Sequence, residues 1–118
     1  MQIKSSLLVL FLFFSLHANA AFSAKESKEL LQINDQYHVA LSDAKKNFLA
    51  SVANAVSNDP DKKDAIVSLK ESWERFILSK CEFENLESKG TDAETAQMSD
   101  CLVGEYKGAE KYFEQVLP

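Results

Sequence analysis

From Leu30 onward the apolar residues of this chain fall at helical intervals. Leu30, Ile33, Tyr37, Leu41, Ala44, Phe48, Val52 and Ala55 follow one another at steps of three or four. That spacing lays one apolar stripe along a helix and excludes the two-residue alternation of a half-buried strand. The 118 residues hold only three glycines and two prolines, so few positions can interrupt such a helix. Collagen-like and low-complexity architectures are excluded by the same scarcity. The length allows a single domain.

The stripe predicts a first helix from about Ala24 to about Ser57, roughly 50 Å long at 1.5 Å per residue, with Ser23 as its N-cap. Asn58-Asp59-Pro60-Asp61 breaks it. Asp59 is placed to cap the next helix, with Pro60 at its first position, where a missing N–H costs nothing. The second helix carries Ile66, Leu69, Trp73, Phe76, Ile77 and Cys81 and is predicted to end near Leu86 to Lys89, before Gly90. Thr91 and Glu94 have capping-box spacing, in which Thr91 accepts from the Glu94 N–H and the Glu94 carboxylate reaches back to Thr91. The third helix bears Met98, Cys101, Leu102, Tyr106, Ala109, Phe113 and Val116 on one side. Gly104 and Gly108 interrupt it, at about 1 kcal/mol each against Ala. They read as a flat surface that lets a neighbouring helix approach closely. The expected fold is all-α: a long first helix plus a helical hairpin. The first helix is also long enough to offer a surface for dimerisation.

Residues 1–20 have a different character. Lys4 precedes the apolar run Leu7–Leu16, and Ala18-Asn19-Ala20 is a small-x-small site. This is the pattern of a cleaved secretory signal peptide. The run is too short for a bilayer span, which needs about 20 apolar residues. The expected product is a single domain of residues 21–118, free of the membrane and either periplasmic or secreted. Residues 1–20 hold one basic residue and no acid, so residues 21–118 carry 12 Lys+Arg against 18 Asp+Glu, a formal charge of −6. Such a surface repels phosphate backbones, and no basic stripe offsets it, so nucleic acid is not an expected partner.

Cys81 and Cys101 are the two cysteines of the chain. An even count in a small exported domain points to one intramolecular disulfide. Intermolecular pairing and a metal pair are the alternatives. Metal is disfavoured because no close second ligand pair exists, and His38 is the one histidine after residue 20. A Cys81–Cys101 bond would hold the second and third helices as an antiparallel hairpin close to their connection.

No catalytic constellation emerges. His38 is the one candidate base, placed mid-helix beside Tyr37, and it reads as a surface residue. The carboxylates alternate with lysines on helical faces, as solvated surfaces do. Phosphate-binding loops, calcium loops and cofactor motifs are absent, so the reading is of a non-enzyme without cofactor. Trp73 lies on the second helix's stripe eight residues before Cys81 and reads as a core anchor against the disulfide. Phe83 and Tyr112 fall near the edges of their stripes, where an exposed aromatic is a candidate partner contact.

Trp73, then Cys81-Glu82-Phe83-Glu84, Gly90-Thr91 and Cys101-Leu102, resembles the LprI-like lysozyme-inhibitor family of small exported bacterial helical domains. Leu31-Gln32-Ile33-Asn34-Asp35-Gln36-Tyr37 is similar to that family's first helix. The resemblance spans roughly Leu30 to Leu117. Family members often carry an extra cysteine near the mature N-terminus, and a Thr and then an Arg after the second Cys. This chain lacks the extra cysteine and holds Tyr106 and Ala109 at the latter places. The resemblance implies a domain that blocks a lysozyme-like muramidase by occluding its cleft. An acidic domain would be steered toward a basic target. Ser88, Lys89, Gly90, Thr91 and Asp92, between the cysteines, are the expected contact segment, because a disulfide would pre-organise it. The alternatives are an immunity protein against a toxin delivered into the periplasm and a structural factor acting as a homodimer.

Overall fold

The computed structural model describes the backbone of residues 3–116 and the side chains of residues 24–115. The described residues form three α-helices: α1 (Ile3–Asn58), α2 (Lys63–Glu84) and α3 (Glu94–Val116). Short 3₁₀ turns at Pro60–Lys62 and Leu86–Ser88 lead into α2 and out of it. Among the described residues there is no strand. The chain divides into two units, residues 1–33 and residues 34–118.

In the first unit the backbone is helical from Ile3 onward, through the expected cap at Ser23. The reason is compositional: residues 17–23, HANAAFS, contain no glycine or proline to stop a helix. The side chains of residues 1–23, which include the expected signal peptide, lie outside the described residues. Leu31 and Ile33 are exposed. Among the described residues no helix is long and apolar enough to cross a membrane.

The second unit holds the core. Ala44, Phe48, Val52 and Ala55 of α1 are buried, so only the C-terminal half of the expected stripe is core. Helix lengths explain the limit: α2 and α3 have 22 and 23 residues and can flank only about that many residues of a third helix. Ile66 and Ile77 of α2 and Tyr106, Ala109 and Phe113 of α3 complete the cluster, with Leu41, Trp73 and Leu102 packed against it. The Phe48 ring sits 5.4 Å from Tyr106 and 5.7 Å from Phe113, in tilted and edge-on geometries that favour aromatic pairs. The Trp73 ring lies 4.7 Å from Tyr112 and 5.9 Å from Phe113. It therefore packs against rings at least eleven residues beyond Cys101, because α3 runs antiparallel to α2 and brings its far end to Trp73.

Cys81 and Cys101 form the disulfide, with sulfurs 2.10 Å apart and Cα atoms 5.7 Å apart. The hairpin is therefore stapled near its connection. The backbones of α2 and α3 approach each other more closely than that of α1 approaches either.

The helix ends depart from expectation in detail. Asp59 precedes Pro60, but its side chain makes no capping hydrogen bond. Its carboxylate pairs with Lys62 Nζ at 2.9 Å instead. Pro60 opens a 3₁₀ turn, and α2 begins only at Lys63. The second helix ends at Glu84, earlier than its apolar pattern predicts, and Leu86–Ser88 is a separate 3₁₀ turn.

Candidate functional site

The connection between α2 and α3 is pinned by its own polar groups. The Asn85 N–H and Nδ2 both donate to the Cys81 carbonyl, at 3.1 and 2.8 Å. The Ser88 N–H and Oγ both donate to the Asn85 carbonyl, at 3.1 and 2.9 Å. The Thr91 N–H and Oγ1 in turn donate to the Ser88 carbonyl. Each side chain thus adds a second donor to a carbonyl that already accepts a backbone N–H, doubling the ties along the connection. Gly90 has φ +77°, a left-handed conformation that other residues adopt only at a cost.

The capping box is displaced by one residue. The Glu94 carboxylate accepts from the Gly90 N–H at 2.8 Å, rather than from Thr91. Thr91 Oγ1 spends its hydrogen on Ser88 and does not receive the Glu94 N–H, which donates to the Thr91 backbone carbonyl. The left-handed Gly90 turns its own N–H toward the start of α3, and this frees Thr91 to face back.

Of the five expected contact residues, Lys89, Gly90, Thr91 and Asp92 are exposed, and Ser88 is buried. Ser88 is a pin of the loop and offers nothing to a partner. A shallow cleft of about 240 Å³ lies beside the loop, lined by Glu82, Asn85, Leu86, Lys89, Glu94 and Met98. Leu86 and Phe83 stand at this tip 58% and 75% exposed. Glu82 and Glu94 line the cleft beside Leu86, and Glu87 and Asp92 follow in the same connection. Just below the tip, Lys80 bridges Glu105 of α3 and Glu84, the latter at 3.1 Å. Hydrogen bonds to Glu105 and then Glu84 hold the lysine above its ordinary pKa.

A second exposed surface runs along α2. Leu69 and Phe76 belong to the expected core stripe of α2, yet they are 39% and 62% exposed. The core-facing residues Ile66, Ile77 and Cys81 fix the buried side, and Leu69 and Phe76 lie well around the helix from it. With Phe83 they recur every seven residues. A single hydrophobic stripe was the wrong description of this helix; the seven-residue interval was the signal of a second one.

Gly104 and Gly108 are exposed, and a Cβ on either would meet nothing within 4 Å. No neighbouring helix uses them for close approach, contrary to expectation. Tyr106 and Ala109 are core residues, so the positions at which the LprI-like pattern carries Thr and Arg point inward here. His38 is exposed. Among the described residues no group of three or more His, Cys, Asp or Glu could hold a metal ion. Compared with protein-family models, with curated proteins and with solved structures, the chain matches none of them.

Proposed function

We propose that residues 21–118 form an exported protein-binding domain whose docking edge is the hairpin tip. The supporting observation is the tip itself. Two exposed apolar side chains, Phe83 in the last turn of α2 and Leu86 in the connection that follows, stand where a disulfide and a chain of hydrogen bonds hold the chain, with Glu82 and Glu94 beside Leu86. A pre-ordered loop loses little freedom on binding, and an apolar centre with a charged rim is the usual anatomy of a contact surface. The two carboxylates and the −6 charge suit a basic partner. The LprI-like motif residues make a lysozyme-like muramidase the first target, blocked by a tip that occupies its cleft. An immunity role against a periplasmic toxin would use the same tip on a different enzyme.

The oxidised protein, immobilised and exposed to a panel of lysozymes at low and physiological salt, tests this reading. Capture of a muramidase with loss of its activity is expected. Leu86→Asp should abolish capture and leave thermal stability unchanged, because Leu86 is exposed. Failure to retain any muramidase at low salt would overturn the lysozyme target.

A further inference from the structure

We propose that the outer face of α2 is the seat of a second copy of this chain, docked antiparallel about a two-fold axis near residues 77–78. The three large residues Leu69, Phe76 and Phe83 alternate with the small residues Ala65, Ser72 and Ser79 at intervals of four and three. All six are exposed, and none is charged. A strict four-three repeat is the spacing of a helix–helix seam, distinct from the broader stripe that faces a globular core.

The order of sizes fits the same sequence turned end for end. In antiparallel pairing the large positions of one helix oppose the small positions of the other. With the axis near residues 77–78, Phe76 falls on Ser79 of the second copy and Phe83 falls on Ser72. Each contact occurs twice by symmetry, as a two-fold interface requires. Large residues meeting large ones, as a parallel pairing would give, would hold the backbones apart at three layers.

Charge selects the occupant. Arg75 is the one arginine of the chain and borders the seam. Its guanidinium donates to Ser72 Oγ at 3.4 Å, and it has no ion pair among the described residues. Glu82, one heptad further on the same border, has none either. An axis near residue 74 would also pair large with small but would set Arg75 against its own copy, whereas with the axis near residues 77–78 the two flanking positions meet with opposite charge. Arg75 of each copy faces Glu82 of the other, giving two ion pairs from residues that have none within the described residues of one copy. A basic partner would meet Arg75 with the wrong sign. The face is locally neutral, so the −6 charge is not concentrated where the two copies touch.

With that axis the two helices overlap over residues 71–84, a seam of 14 residues about 21 Å long. One helix pair lies at the small end of stable interfaces, so the dimer is expected to be weak and concentration-dependent. The seam includes Phe83, which also stands at the hairpin tip. Self-association and target capture therefore compete for that side chain. The inference does not depend on the muramidase target, because it is read on the purified protein alone.

Sedimentation equilibrium of the full chain, as exported and processed by a bacterial host, gives the test across about 1 μM to 1 mM. A concentration-dependent dimer is expected. Phe76→Glu should weaken it at least about a hundredfold, since it buries a charge in the seam. Arg75→Glu and Glu82→Arg should each weaken it by about tenfold, and the double exchange R75E/E82R should restore it. Circular dichroism should show all four variants equally helical, as these positions are exposed. A protein that stays monomeric throughout overturns the inference. So does a dimer indifferent to F76E, which would assign association to another surface such as α1, and so does a charge exchange that fails to restore it.

Discussion

Phe48 of α1 and Tyr106 of α3 lie with ring centroids 5.4 Å apart, and the Phe48 side chain is wholly buried between that ring and Phe113. No covalent link joins α1 to the hairpin other than the chain itself, so this aromatic contact carries much of the docking. Phe48→Ala should destabilise the protein by about 3–5 kcal/mol, the range for emptying a well-packed aromatic site. Chemical denaturation with a two-state fit measures it. A loss below about 1 kcal/mol would mean the site collapses freely and the cluster is not the core.

Removing the disulfide tests a different source of stability. A closed loop of 20 residues restricts the unfolded chain by on the order of 3 kcal/mol. Reduction, or replacement of both cysteines by Ala, should lower the thermal midpoint by roughly 12–24 °C for a domain of this size. The helical signal at low temperature should persist if the core still suffices. An unchanged midpoint would show that the loop is equally constrained in the unfolded state.

The three glycines should respond with opposite signs. Gly104→Ala and Gly108→Ala put a methyl group into open space on a helix and should each stabilise by about 0.5–1 kcal/mol. Gly90→Ala forces a side chain into left-handed backbone and should destabilise by about 1–2 kcal/mol. Melting curves of the three single variants decide the matter. Destabilisation by Ala at 104 or 108 would reveal a close neighbour on that face.

Alkaline pH should weaken the fold through two groups. Burial, with a smaller contribution from Glu74, raises the Tyr106 hydroxyl above its ordinary 10.0. The carboxylates of Glu105 and Glu84 raise Lys80 above 10.5. Both groups hold their proton more tightly in the folded protein than in the unfolded chain. Their contribution is complete below the unfolded values and is lost as pH climbs through the folded ones. Thermal midpoints should therefore fall from about pH 10 upward. Tyr106→Phe and Lys80→Met should each flatten that fall. If neither variant changes the slope, the titration belongs elsewhere.

Much of this architecture is written in residue spacing. The Leu41-to-Ala55 stripe, the Pro60 break, Gly90 and the two cysteines are each local signals with one dominant physical meaning. They specify three helices and a staple. The exposed side of α2 was harder to read. Leu69 and Phe76 are as apolar as Ile66 and Ile77, and sequence alone does not say which of two adjacent stripes meets the other helices. The connection between α2 and α3 was legible as a turn, but its internal hydrogen bonds were not. Ser88 looks like a loop surface residue until its hydroxyl and N–H are seen pinning the Asn85 carbonyl. Glu94 has the right spacing to cap Thr91, and only the left-handed turn at Gly90 diverts it. The glycines of α3 misled because a small residue allows a close neighbour without requiring one.

The staple joins α2 to α3 and leaves α1 outside the covalent loop, at the greater backbone distance from both. The molecule is thus a cross-linked pair with a separable third member. Its opening should be stepwise: α1 can lift away while the pair survives, since the cross-link keeps the two partners at high effective concentration. Amide protons of residues 44–55 would then exchange with solvent at a lower free energy than those flanking the cysteines, even though Phe48 is wholly buried at rest.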